Sequence, residues 1–411
     1  MKTELIIAAP MSGSGKTTVA RLLMAAYTRK GRRVQPFKCG PDYIDTKFHE
    51  AVCGRPSVNL DTFMASPEHV RQLYSRYSEG ADVCIVEGMM GLYDGYDRDR
   101  GSTAEIARVL GLPVVLVADA RSAAYSMAAL LQGFVGFRSD IRFAGVIFNK
   151  VGSPRHQAML RQVCQDLGLH CLACIPKRGE LEQGERYLGL DFSPLQPPPD
   201  GGGYFHSRGN SRSLPHRGGG WRGALIARNA EAFSFVYQET VDELRRRYGS
   251  VGGFDPQTEV PQLEGCELLY LPGGYPEKHL EALAGNEACR RAIRDYAGRG
   301  GRIVAECGGM MYLCREIVTD EGAWPMCGVL PYTISARRAD RKLSLGYRQF
   351  TLDGRQYRGH EFHYTQFAGD VPPSVCQVYN AKGEPVGTPV FRYKNVLASY
   401  THLYPHEANL Y

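Results

Sequence analysis

Leu5-Ile6-Ile7-Ala8-Ala9-Pro10-Met11-Ser12-Gly13-Ser14-Gly15-Lys16-Thr17-Thr18 is the stretch that decides the fold. The apolar run Leu5–Ala9 reads as a strand, a glycine-rich turn follows, and Thr17–Lys30 reads as a helix. Strand, glycine loop and helix in that order are the setting a phosphate loop requires. Backbone N–H groups of Ser12, Gly13, Ser14 and Gly15, and of Thr17 and Thr18 at the helix start, face phosphate oxygens in such a loop. Lys16 reaches the β- and γ-phosphates, and the Thr17 hydroxyl sits on Mg²⁺. The full pattern has a glycine five places before Gly15. Pro10 stands there, so the loop is a variant.

Working outward, further short strands are expected at Val34–Phe37, Asp82–Val86, Pro113–Ala118 and Phe143–Phe148. Helical segments at Pro67–Ser78, Ala104–Leu110 and Ser122–Phe134 separate them. Strands alternating with helix-length segments imply a doubly wound α/β domain with a parallel sheet. Ligands of such sheets bind at the carboxyl ends of the strands. Glu87 ends one strand there, and Asp42, Tyr43 and Asp45 follow another. Thr17, Asp45 and Glu87 are therefore candidate metal ligands, and Asp42, Tyr43 and Asp45 candidate substrate contacts. Each aspartate could instead cap a helix or sit in a surface turn. Asn149, after the fifth strand, is a candidate contact for the base or a phosphate.

From Pro194 to Trp221 the alternation stops, and Pro, Gly, Ser and Arg dominate without an apolar period. That composition predicts a flexible linker. The domain boundaries expected are 1–195, a linker at 196–222, and 223–411. Of the net charge of +6, three positive charges fall in Asp200–Arg222, so the rest is nearly balanced. This excludes the basic face of a nucleic-acid binder. The chain has 411 residues, 43% hydrophobic and 22% charged, which excludes a disordered chain. No apolar run reaches the roughly 18 residues of a membrane span. A cytoplasmic enzyme with no membrane partner is expected, and its 12 cysteines read as thiols.

After the linker, strands are expected at Ala224–Ala227, Leu268–Leu271 and Arg302–Ala305, with helices at Ala232–Tyr248 and Glu281–Gly298. The remainder, including Leu345–Leu352, His360–Phe367 and Val396–Tyr400, is richer in strand-like segments. Cys307 follows Ile303-Val304-Ala305-Glu306 and precedes Gly308-Gly309 and an apolar helix. A reactive residue at a sharp strand-to-helix turn is a nucleophile elbow, here with cysteine. The helix start favours a thiolate. Gly273, Gly274 and Gly308 can offer backbone N–H groups to an oxyanion. His402 is the expected base, with His406 as competitor. Cys171-Leu172-Ala173-Cys174 lacks a second pair to complete a zinc site and reads as a strand. His360 and His363, three apart on a strand, point to opposite faces.

SGSGKTT, FKCGPDYID, VEGMMGLYDG, LPGGYPE, AECGGMMYL, RGHEFHY and ASYTH occur in this order. Together they resemble the cobyrinic acid a,c-diamide synthases of cobalamin biosynthesis. The first half is also similar to dethiobiotin synthetase, and the second to class I glutamine amidotransferases. The resemblance implies ATP, Mg²⁺ and glutamine, and a corrinoid substrate whose a and c acetates become amides. It implies an acyl phosphate made at Lys16 and ammonia released by Cys307 and His402. Hydrogenobyrinate or nickel-sirohydrochlorin are alternatives to cobyrinate. A regulatory ATPase with an inactive amidase half is more remote, and a homodimer is an open assembly. Three departures stand out. Tyr404 occupies the place, two residues after the histidine, where class I enzymes commonly have Glu. Gln196–Arg222 replaces a longer, more helical connection. Asn229 stands where the family usually has Asp.

Overall fold

The computed structural model describes residues 2–177, 222–229, 231–370 and 372–405. Residues 196–221 of the expected linker and His406 lie outside the described residues. Contacts gather the chain into two compact units, Met1–Ser207 and Arg208–Tyr411.

The first unit runs β1 (Thr3–Ala8), α1 (Lys16–Arg29), β2 (Val34–Cys39), α2 (Ile44–Cys53), β3 (Val58–Leu60) and α3 (Pro67–Ser78). It continues with β4 (Val83–Glu87), α4 (Thr103–Leu110), β5 (Val114–Asp119), α5 (Met127–Gly136), β6 (Phe143–Val151), α6 (Pro154–Asp166) and β7 (Cys171–Pro176). The strands form one sheet in the order β3-β2-β4-β1-β5-β6-β7, parallel throughout. Helices cover both faces, as the sequence alternation requires. Ile6 and Ala8 pack with Val70, Ile106 and Leu160 on one face, and Ile7 with Val19 and Met24 on the other.

Three elements escaped the sequence reading: α2, β3 and α6. The helix expected at Ser122–Phe134 begins only at Met127, because Ser122 takes a positive φ of 57° and the chain turns there. Cys171 and Cys174 do lie on a strand. Irregularities in its register bring their sulfurs to 3.7 Å.

The second unit opens with β8 (Gly223–Ala227), α7 (Gln238–Tyr248), β9 (Val251–Phe254) and β10 (Cys266–Leu271). Then come α8 (Leu280–Gly285), α9 (Glu287–Gly298), β11 (Ile303–Glu306) and α10 (Gly308–Leu313). Its main sheet orders Val390–Tyr393, Val396–Ser399, β11, β10, β8 and β9, with only the first strand antiparallel. One face packs Leu269, Leu271 and Ile303 against Leu283 and Ile293 of α8 and α9. The other packs Tyr270 and Val304 with Leu244 of α7 and Phe350 of a five-stranded antiparallel sheet.

Two helix expectations are corrected here. Ala232–Tyr248 is helical only from Gln238. The N–H groups of Ser234 and Phe235 instead donate to the Gly273 carbonyl, tying that segment to the glycine loop. Glu281–Gly298 is two helices, because the Asn286 side chain accepts from Cys289 N–H and caps a new start.

Candidate functional site

The glycine loop of the first unit leaves β1 and enters α1 with Gly13 and Gly15 at φ of 78° and 97°. Left-handed backbone there favours glycine. The Ser14 hydroxyl donates to Met11 O at 2.9 Å. Asn149 lies so close that a Cβ on Gly15 would meet its amide nitrogen at 2.2 Å. That amide donates to Ser14 O, and its oxygen accepts from Lys150 N–H. Asn149 thus braces the loop through its backbone. Lys16 is buried and donates to Met90 O. Burial, and then the neighbouring Lys38 charge, lower it to about 8.

Behind Lys16 stands a group the sequence reading missed. Lys38, on the fully buried strand β2, lies 2.9 Å from Asp45 Oδ2 and 3.1 Å from Glu87 Oε1. It also donates to Gly88 O. Burial opposes its charge, but Asp45, Glu87 and Asp42 outweigh burial and hold its pKa above the usual lysine range. The partner effect appears in Glu87, which burial alone would raise and which Lys38 and His49 keep below the ordinary carboxylate value. Glu87 Oε1 also accepts from Thr17 Oγ1 at 2.6 Å, and Oε2 meets His49 Nε2 at 2.6 Å. His49 Nδ1 meets Ser57 Oγ at 3.0 Å.

Of the expected acidic residues, Asp42 does the local job of a cap. Its Oδ1 accepts from Ile44 and Asp45 N–H at the start of α2. Tyr43 beside it is buried. Among the described residues no three His, Cys, Asp or Glu side chains form a metal cluster. The donor chemistry nonetheless suits Mg²⁺. Thr17 and Glu87 are hard oxygen donors beside the phosphate loop, and Mg²⁺ takes only one or two carboxylates with phosphates and waters. Asp45 and Glu87 both share a carboxylate oxygen with the Lys38 ammonium.

In the second unit Cys307 sits between β11 and α10 at φ 46°, ψ −108°. A non-glycine residue at positive φ is strained, as at a nucleophile elbow. Its N–H donates to Ser399 O on the neighbouring parallel strand. His402 follows that strand three residues later and pairs with His360. Gly273 and Gly274 lie between elbow and histidine. A Cβ on Gly273 would stand 2.1 Å from His402 Cε1, and one on Gly308 would stand 3.0 Å from Gly274 N. The backbone therefore approaches both groups as closely as glycine allows. Cys307, Gly308, Gly274, Gly273 and His402 converge, all from the carboxyl ends of adjacent strands.

The electrostatics correct one expectation. The start of α10 does not leave a thiolate. Burial, and then the Glu277 carboxylate, push the Cys307 thiol well above its ordinary range. A helix of six residues cannot offset that. Glu277 is itself raised to about 7 by burial. Burial and then His360 and His363 lower His402 to about 3. Thiol and imidazole are both neutral at pH 7. Beneath them Glu361 accepts from Arg348 Nε at 2.7 Å, Thr388 Oγ1 at 2.6 Å and His363 Nε2 at 2.9 Å. Burial opposes its ionisation, yet these partners hold it at about 2. His360 points the other way from Glu361 and His363, as strand alternation requires.

Asn229 bonds Asp255 through its amide and caps the turn at Glu231 and Ala232 through its oxygen. The Tyr404 hydroxyl is turned to Glu239 in the core. The sequence signal for Lys38 was a lysine inside a strand of a fully covered sheet, where an unpaired charge is too costly.

Residues 5–188 match the model of the CobQ/CobB/MinD/ParA nucleotide binding domain, and residues 226–410 that of the CobB/CobQ-like glutamine amidotransferase domain. The chain is 39% identical to the hydrogenobyrinate a,c-diamide synthase of Brucella abortus, over 97% of each chain. It is 36% identical to the protein of that name from Mycobacterium bovis, over 98% of this chain and 95% of the relative. It is also 36% identical to that of Streptomyces coelicolor, over 88% and 86%. Among the described residues no helix is long and apolar enough to cross a membrane. At this identity over nearly its whole length, the chain belongs to the a,c-diamide synthase family, with a nucleotide-binding half followed by a glutamine amidotransferase half.

Proposed function

We propose that this enzyme amidates the a and c acetate carboxylates of a corrinoid acid, using ATP and glutamine, in cobalamin biosynthesis. Hydrogenobyrinate takes precedence over cobyrinate as substrate, because the relatives carry that name. The observation that carries the reading is the strained Cys307 elbow and His402 both set against the Gly273–Gly274 loop, in a chain whose other half holds a phosphate loop.

In the second half the Cys307 thiol attacks the glutamine carboxamide while His402 takes its proton. The amide nitrogen leaves as ammonia with that proton, and water then cleaves the thioester to glutamate. Gly274 and Gly308 N–H groups support the oxyanion. In the first half the loop from Ser12 to Thr18 holds the nucleotide, and Lys16 moves from Met90 O onto its phosphates. Thr17 and Glu87 would hold Mg²⁺, which neutralises charge on the transferring phosphoryl group. Lys38, Asp45, Asp42 and Tyr43 line the place where a substrate carboxylate is received. Ammonia then displaces phosphate from the acyl phosphate. The boundaries proposed are 1–195, 196–222 and 223–411.

The test is incubation with ATP, Mg²⁺ and glutamine and, separately, hydrogenobyrinate, cobyrinate and nickel-sirohydrochlorin. Mass spectrometry should show two successive hydroxyl-to-amino exchanges on hydrogenobyrinate. Exchange on none of the three, with ATP still hydrolysed, contradicts the assignment.

A further inference from the structure

Tyr404 stands where a class I amidotransferase commonly carries the carboxylate that orients its histidine, and its hydroxyl is committed to Glu239. Another carboxylate lies nearer. Glu306 ends β11, immediately before Cys307, and is 2% exposed. Its Oε1 accepts from the N–H of Leu403 at 3.2 Å, the peptide that joins His402 to Leu403. Its Oε2 accepts from the Tyr270 hydroxyl at 2.8 Å. Tyr270 lies on β10, which runs into Gly273 and Gly274. One carboxylate therefore ties together the segments that deliver the nucleophile, the base and the glycine loop.

A buried carboxylate is costly, and an apolar side chain of similar size would pack there at lower cost. Its presence beside the nucleophile calls for a use that packing does not supply. We infer that Glu306 is the positioning residue for His402, holding the base by its backbone from the strand that carries Cys307. This rests on the proposed roles of Cys307 and His402. Other contacts limit the motion that Glu306 must restrain. Tyr404 N–H donates to Arg358 O, and Gly359 lets its strand pass close beneath His402 O. The 402–403 peptide is thus fixed on two sides, by the pairing of its strand with Arg355–His363 and by Glu306 Oε1 at the Leu403 N–H.

The test compares Glu306→Met, Glu306→Gln and Tyr270→Phe in the full-length enzyme, with Cys307→Ala as reference. Each is assayed for synthesis with glutamine, synthesis with ammonium salt, and alkylation of Cys307 by iodoacetamide. A base displaced by about 1 Å costs on the order of 10²-fold in rate. Glu306→Met should lower glutamine-dependent kcat by about that factor with little change in KM, and leave ammonium-dependent synthesis intact. Glu306→Gln keeps an acceptor for Leu403 N–H and should stay within about fivefold of wild type. Tyr270→Phe frees one carboxylate oxygen and should fall between them.

Glu306→Met within about twofold of wild type overturns the inference, as does an equal loss from Glu306→Gln and Glu306→Met. Loss of ammonium-dependent synthesis in step with glutamine-dependent synthesis also overturns it, because the effect is then general. If Glu306→Met does not fold, a wild-type kcat in Tyr270→Phe decides against the clamp. If Cys307→Ala keeps glutamine-dependent synthesis, the glutaminase reading itself fails, whatever Glu306 does.

Discussion

The two candidate sites occupy equivalent places, the carboxyl ends of central parallel strands, and differ in the charge of the groups proposed to react. Around the phosphate loop the buried groups are charged and paired. Lys38 binds Asp45 and Glu87, and Glu87 also takes Thr17 and His49. Around the elbow the two groups proposed to react are neutral, a protonated thiol and an uncharged imidazole. The difference follows the chemistry proposed for each. Phosphoryl transfer gathers negative charge, so positive charge must be installed beforehand. Thiol attack on an amide creates charge only during the step, so a neutral pair can wait in a buried place.

The largest effect expected from this contrast is on Lys38. Removing one partner of a buried ion cluster leaves the others uncompensated and costs about 3–5 kcal/mol. Lys38→Met should destabilise the first unit by that amount, read by denaturant unfolding of the full chain with hydrogen exchange to locate the loss. A change below about 1 kcal/mol would show that Asp45 and Glu87 do not need the ammonium.

Lys16 sharpens the same point from the other side. Its folded pKa of about 8 lies below the ordinary 10.5, so near neutral pH its charge opposes folding when no nucleotide is bound. Lys16→Ala should leave the nucleotide-free protein at least as stable. Synthesis should fall by on the order of 10²-fold with either nitrogen source. Near-normal ammonium-dependent synthesis would remove Lys16 from the phosphate site.

Acid should separate the two units. His402 has a folded pKa of about 3 against an ordinary 6.5, so the unfolded chain binds the proton first as pH falls. Stability contributed by the neutral imidazole is present above pH 6.5 and is lost between about 6.5 and 3. By pH 5 the loss from His402 alone is about 2 kcal/mol. His360, lowered to about 4 by burial and Arg348, adds to it in an overlapping window. Glu87 is a depressed carboxylate, so its contribution disappears only below its ordinary 4.5. Hydrogen exchange at pH 7 and pH 5 should show the second unit loosening while the first holds. Equal loosening would mean that the buried histidines do not control the acid response.

Much of this was legible in the residues. SGSGKTT between a strand and a helix, and AECGG after another strand, each carry their geometry in a few consecutive positions. What the sequence hid depends on distant pairing. Lys38 meets Glu87, 49 positions away, only through the β2–β4 register, a pairing the sequence does not display. Glu306 lay in plain view beside Cys307, but its contact with Leu403 spans 97 positions. For Asp42 the cap, one of the two readings the sequence leaves open, is present in the bonds to Ile44 and Asp45 N–H. The thiolate expectation failed because a helix start can be read from sequence, whereas the burial that outweighs it cannot.

In the proposed division of labour the neutral pair supplies ammonia and the charged cluster uses it. The measurement that tests it most directly is Cys307→Ala, assayed for corrinoid amidation with glutamine and with ammonium salt at alkaline pH. Glutamine should no longer support synthesis, while ammonium should support it at the wild-type ammonium rate. A folded variant that fails with both nitrogen sources, or one that still uses glutamine, contradicts it.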